Sequence, residues 1–183
     1  LWESEWDDEY QTVMPESVVE ATLRAHENHP DKRLWVHFVQ PHIPFIGETG
    51  QSLSQPEFQG GVLKEGQSEN PGVWAQLERK EVSIETVWQA YKESLELVLP
   101  HAITLIKRLN GRSVITSDHG NGFGEWGIYG HDPYRHISEL TTVPWVEFED
   151  ERRTIRSNQE SHSTRELNNK ATQKRLRHLG YLE

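Results

Sequence analysis

The sequence predicts an α/β domain, and three stretches predict it. Ser113-Val114-Ile115-Thr116 is a short β-branched run that follows Asn110-Gly111 and breaks into a glycine-rich loop, so it reads as a buried strand. Leu34-Trp35-Val36-His37-Phe38-Val39 is a second apolar run, ended by the proline pair of Gln40-Pro41-His42-Ile43-Pro44-Phe45. Between them, Val73 to Leu109 carries apolar residues at three- and four-residue spacing, the period of a helix.

Composition bounds what such a domain can do. A chain of 183 residues is long enough to bury a core and make one domain. Its net charge of −10 argues against a nucleic-acid surface and against anionic membranes. An acidic surface poor in lysine suits a high-salt cytoplasm, although an ordinary acidic surface gives the same count. The chain has no cysteine, so a disulfide framework, a thiolate metal site and a cysteine nucleophile are all excluded within it. No run of about 18 apolar residues is present, and no signal peptide is visible. The expected compartment is cytoplasmic, with any signal lying upstream of Leu1. The chain opens on the acidic, aromatic LWESEWDDEY without a methionine, which is expected of the interior of a longer protein.

Taken in order, Trp2, Trp6, Tyr10 and Met14 recur every four residues and read as a weak amphipathic stripe. Pro15-Glu16 opens a helix with Val18, Val19 and Leu23 on one face, running to about His26–His29 and stopping before Pro30. The Leu34–Val39 strand follows, with His37 inside it as a core or structural histidine. Residues 48–72 are polar and aperiodic, a long loop that is either a lid over the site or a tolerated insertion. Ser83-Ile84-Glu85-Thr86 resembles a capping box, and Val87, Tyr91, Leu95, Val98 and Leu99 form the apolar face of the helix it starts. Pro100 predicts a kink or break. Asn110-Gly111 predicts a left-handed helix end. After the central strand, Val143-Pro144-Trp145-Val146-Glu147-Phe148 reads as an edge strand. Residues 1–150 thus form the domain, 151–163 a charged linker, and 164–183 a terminal helix capped by Gly180.

The chemistry concentrates at the two strand ends. In an α/β sheet, ligands bind beyond the carboxyl ends of the strands, where Asp118 and His119 lie. A carboxylate oxygen and an imidazole nitrogen there make half of a site for a divalent cation. The same tripeptide also serves as a plain turn, with Asp118 capping its own backbone and Gly120 closing it. Gly120, Gly122 and Gly124 are expected to turn the loop sharply and leave room for a ligand. Pro41 and Pro44 hold His42 on a stiff, extended loop, suited to contacting a ligand or simply to ending the strand.

Thr116-Ser117-Asp118-His119-Gly120, Gln40-Pro41-His42-Ile43-Pro44-Phe45, Val143-Pro144-Trp145 and the closing Arg177-His178-Leu179-Gly180-Tyr181-Leu182 together resemble the sulfatase family of the alkaline phosphatase superfamily. More narrowly they resemble the sulfatase-like proteins of halophilic archaea. The resemblance spans residues 33–182 and implies an α/β alkaline phosphatase/sulfatase-like sandwich acting as a metal-dependent hydrolase of small-molecule sulfate or phosphate esters. It gives Asp118 and His119 as metal ligands for a calcium, magnesium, manganese or zinc ion, and His42 as the residue facing the ester oxyanion. His131 stands where the family usually has a lysine, which keeps a proton donor but one titrating near neutral pH and leaves phosphate-type chemistry open. Asn121 stands where glutamate is frequent.

The family's nucleophile and paired aspartate ligands have no match here. The chain is therefore expected to be the C-terminal part of a catalytic domain, with its N-terminal half absent and no turnover of its own. Two alternatives accompany that reading. One is a phosphoryl-transfer relative resembling the cofactor-independent phosphoglycerate mutases, which share Asp-His-Gly-Asn. The other is a non-catalytic binding or structural remnant of the fold.

Overall fold

A helix of 25 residues, α4 (Ile84–Arg108), organises the structure. The computed structural model describes residues 1, 4–56, 58–59, 62–63, 72–132, 134–151 and 154–155. The expected linker 151–163 falls largely outside them, and the expected helix 164–183 wholly so. Ser83 caps α4 as its sequence predicts, its hydroxyl accepting from the Thr86 amide at 3.1 Å and satisfying a donor that the first turn leaves open. Val87, Ala90, Ser94, Val98 and Leu105 make its buried face. Pro100 does not break the helix, which continues to Arg108. The position is exposed, so the lost amide bond and the ring face water rather than a packed neighbour. The helix ends through an extended Leu109, and the left-handed residue is Gly111, at φ 98°.

Helix α1 (Pro15–Asn28) starts at its proline, packs on α4 and buries Pro15, Val18 and Thr22. Glu16 meets His101 of α4 at 3.3 Å. The residues before α1 form a hairpin rather than a helical stripe, β1 (Trp6–Asp7) with β2 (Thr12–Val13). The Asp7 carboxylate accepts from the Glu9 and Tyr10 amides, both at 2.9 Å, and this local bonding outweighs the helical spacing of the aromatics.

The stretch expected as a long loop contains structure. It holds a short helix α2 (Glu48–Gln51) and a two-residue hairpin, β3 (Phe58–Gln59) with β4 (Val62–Leu63), before α3 (Gly72–Glu78). Thr49 clasps α4, its amide and hydroxyl donating to the two Glu93 oxygens at 2.8 and 2.7 Å. Phe45, Val73, Leu77, Val87 and Ala90 are the core between these helices.

Strand β5 (Ser113–Thr116) pairs antiparallel with β8 (Trp145–Phe148) in a two-stranded sheet, and β6 (Gly122–Phe123) pairs with β7 (Tyr129–Gly130). The described residues therefore show mixed α and β content with small antiparallel sheets. Two strand expectations are corrected. β5 is not buried: its residues alternate between half-buried and exposed, because the described chain lays no layer over the sheet face where Val114 and Trp145 are open. Residues 34–39 run with alternating exposure but join no ladder. The backbone groups of Leu34 to Phe38 find no partner strand among the described residues, and Trp35 is 91% exposed. His37 is exposed rather than in a core. Among the described residues no helix is long and apolar enough to cross a membrane.

Candidate functional site

Two loops more than seventy residues apart converge on three imidazoles. The His131 ring lies 4.4 Å from that of His119 and 5.8 Å from that of His42, centroid to centroid. Asp118 adds a carboxylate, with Oδ2 3.8 Å from His119 Nε2. Thus all four residues singled out in the sequence meet in one place.

The first loop, residues 40–46, is held from both ends. Gln40 is buried, its amide donating to Val13 O at 3.2 Å and to Thr12 Oγ1 at 3.4 Å, which fixes the loop to the N-terminal hairpin. Phe45 is fully buried, edge-on to Trp74 and Tyr91. The Ile46 amide donates to the buried Ser94 hydroxyl of α4 at 3.0 Å. Between these points the chain turns instead of running extended: the His42 amide donates to Val39 O at 2.9 Å, and both X-Pro bonds are cis.

The second loop leaves β5 and returns through the β6–β7 hairpin. Gly120 N donates to Leu140 O at 2.9 Å, seating the loop on α5 (Ser138–Thr141). The space above two of the expected glycines is not left for a ligand. A methyl at Gly120 would meet Glu139 O at 2.0 Å, and one at Gly122 would meet Ile128 O at 2.6 Å, so the chain's own backbone fills it. Gly130, at φ 74°, lies against the Trp74 indole and hands the chain to His131.

The ring protons follow from the acceptors. His42 Nδ1 is 2.6 Å from Ile43 O and His119 Nδ1 is 2.8 Å from Gly120 O. A carbonyl only accepts, so Nδ1 carries the proton in each ring, and Nε2 of the neutral ring is the lone-pair nitrogen. His42 is pushed below the ordinary imidazole range, first by burial, with the His119 charge adding to it against the Ile43 bond that raises it. His131 is pushed down to about 4 by burial and then by His119 and His42, with Asp118 opposing. The expectation that His131 titrates near neutral pH is thereby corrected. Three imidazoles this close disfavour one another's protonation.

Two neighbours escaped the sequence reading. Burial raises the Tyr91 phenol above its usual value, the nearby Asn121 side chain opposes that rise, and the Asp118 charge adds to it. Trp88, one turn earlier on α4, packs edge-on to Phe123 at 5.2 Å. In the sequence both look like ordinary members of the apolar stripe of α4.

No family model, curated protein or solved structure matches the chain.

What the site could hold follows from its donors alone. Among the described residues no group of three or more is already placed to hold a metal ion. Asp118 and His119 nonetheless fit as a pair. In a tetrahedral site with bonds of about 2.1 Å, neighbouring donor atoms lie about 3.4 Å apart, close to the 3.8 Å between Oδ2 and Nε2. The Nδ1–H bond to Gly120 O is the outer contact that orients a ligating imidazole. Asp118 Oδ1 also accepts from the His119 amide at 3.0 Å, so the turn-capping bond of the carboxylate is present as well.

Proposed function

We propose that this cluster belongs to a metal-dependent hydrolase of sulfate or phosphate esters, built on an alkaline phosphatase/sulfatase-like sandwich of which this chain supplies the C-terminal part. The reading rests on one observation: His42, His119, His131 and Asp118, from loops distant in sequence, converge with the Nδ1 protons of His42 and His119 tied to backbone carbonyls. Asp118 and His119 hold a divalent metal, which would neutralise ester oxygens and activate a nucleophile. His42 and His131 line the place of the transferring group, within a ring diameter or so of the metal pair. The nucleophile and the remaining ligands come from residues other than these four. One carboxylate oxygen and one imidazole nitrogen accept calcium, magnesium, manganese or zinc.

The test is a titration with manganese(II), followed by NMR of the imidazole Cε1–H signals. Under this reading His119 broadens first, His131 and His42 follow, and His26 and His29 on α1 stay sharp at equal metal. Equal broadening of all histidines, or none, overturns it.

A further inference from the structure

His131 is held differently from the other two imidazoles of the cluster. His42 and His119 are each tied by Nδ1 to a backbone carbonyl, Ile43 O at 2.6 Å and Gly120 O at 2.8 Å. Among the described residues the His131 ring makes no hydrogen bond, and its ring neighbours are His119 and His42. The hairpin that delivers it is also short. β6 and β7 pair through two residues a side, Gly122 with Gly130 and Phe123 with Tyr129. A two-stranded hairpin is marginal in water unless it packs against something else. The placement of His131 therefore has to come from outside the hairpin.

Trp74 on α3 supplies the packing. Gly130 is buried at φ 74°, and a methyl added to it would lie 2.9, 3.0 and 3.2 Å from Cγ, Cδ1 and Cδ2 of the indole. Glycine alone meets both demands, the left-handed backbone and the close approach. The same indole stands edge-on to Phe123 of β6, with centroids 5.3 Å apart, and to Phe45 at the root of the His42 loop, at 6.2 Å. It thus touches both strands of the hairpin and the anchor of the other loop. Its own position is firm, because Val73 beside it and Leu77 one turn further are buried in the core.

We propose that Trp74 is the positioning residue of His131: its indole seats Gly130, and so sets the next ring against His119 while leaving both His131 nitrogens to a ligand. The inference rests on the ester-hydrolase reading for the use made of His131. The placement itself is tested in metal-free protein, by the proton cross-relaxation between the His131 and His119 rings that their 4.4 Å separation predicts.

Trp74→Leu is expected to lose most of that cross-peak, and Trp74→Phe, which keeps a flat aromatic face, to restore part of it. Leu77→Ala is the control for a merely structural role. It removes a buried side chain from the same helix and should lower the urea midpoint while leaving the cross-peak in place. Gly130→Ala approaches from the other side of the contact and should weaken the cross-peak too, which decides the matter if Trp74→Leu does not fold. The proposal is overturned if the cross-peak survives Trp74→Leu or Gly130→Ala, if Trp74→Phe does no better than Trp74→Leu, or if Leu77→Ala abolishes it equally. Manganese(II) added to the native chain separates the two readings. Loss of the cross-peak in Trp74→Leu with no histidine broadened by manganese would leave the placement standing and the ester reading fallen.

Discussion

Gly120→Ala tests the packing that holds the candidate metal pair. The Gly120 amide donates to Leu140 O at 2.9 Å, and an added methyl would lie 2.0 Å from Glu139 O and 3.1 Å from its carbon. An ordinary C–H to oxygen contact is about 3.3–3.6 Å, so loop and helix must part by more than an ångström. Helix α5 cannot yield freely, because Leu140 is buried and the Leu140 and Thr141 amides both return to Ile137 O. Separation therefore breaks the 2.9 Å bond, at roughly 1 kcal/mol, and adds an overpacking cost of about 1–3 kcal/mol. A total near 3 kcal/mol lowers Tm by about 6–12 °C in a chain of this size. The sign is what makes the test sharp. The Gly120 backbone does not have a positive φ, so with no clash alanine would stabilise the fold by about 0.4–1 kcal/mol through the unfolded chain. Thermal melting followed by circular dichroism reads the difference, and the His119 Cε1–H signal should move with it. A variant that melts at or above the native temperature refutes the close seating of the site loop on α5.

Other perturbations reach the same frame from different sides. Phe45→Ala removes the buried ring under the His42 loop and should cost about 3–5 kcal/mol in urea unfolding, with a shift of the His42 signal. Pro100→Ala should stabilise by about 1–3 kcal/mol, since it restores a helical amide in an uninterrupted helix; an unchanged urea midpoint would show that the helix has already adapted to the ring. Asp118→Ala should weaken manganese or zinc affinity at least tenfold by calorimetry, and unaltered affinity would remove Asp118 from the metal shell. Acid should loosen the α2–α4 clasp. The Thr49 and Gln89 bonds hold Glu93 below its ordinary value of 4.5. Its contribution is thus present above that pH and lost as pH falls through the lower folded value. The urea midpoint should drop between pH 5 and pH 3, and less steeply in Glu93→Gln.

Where one local signal dominated, the sequence was readable. Pro15 at the start of α1, Ser83 at the cap of α4 and the β-branched run of β5 each state their structure within a few residues. Misreadings arose where a partner distant in sequence decided the outcome. Residues 34–39 have the composition of a strand, but a strand exists only through its neighbour's backbone, and composition says nothing about that neighbour. Trp6 and Tyr10 have helical spacing, yet one carboxylate, Asp7, capped a turn between them. Gly124 turns the loop as expected, at φ 118°, whereas Gly120 and Gly122 leave no room for a ligand, since Glu139 O and Ile128 O fill that space. The four candidate site residues were legible because each ends a recognisable run. That His131 is buried against His119, and that burial first and the neighbouring imidazoles second push it down to about 4, depended on the fold of the β6–β7 hairpin.

Helix α4 is what makes two separate loops into one site. Trp88, Tyr91 and Ser94 follow at three-residue intervals and therefore lie along one side of it. Trp88 and Tyr91 reach the second loop through Phe123, and Ser94 reaches the first through the Ile46 amide. Glu93 adds a second tie, to Thr49 just beyond that first loop. The spacing between His42 and His119 is thus set by the pitch of two turns of one helix, not by contact between the loops alone. Pro100 lies more than a turn beyond the last of these contacts. It follows that Pro100→Ala should change stability without moving the histidine signals, whereas Ser94→Ala should move His42 and leave His119 in place. Equal shifts of both histidines in Ser94→Ala would mean that the loops are coupled directly, and that the helix does not set their separation.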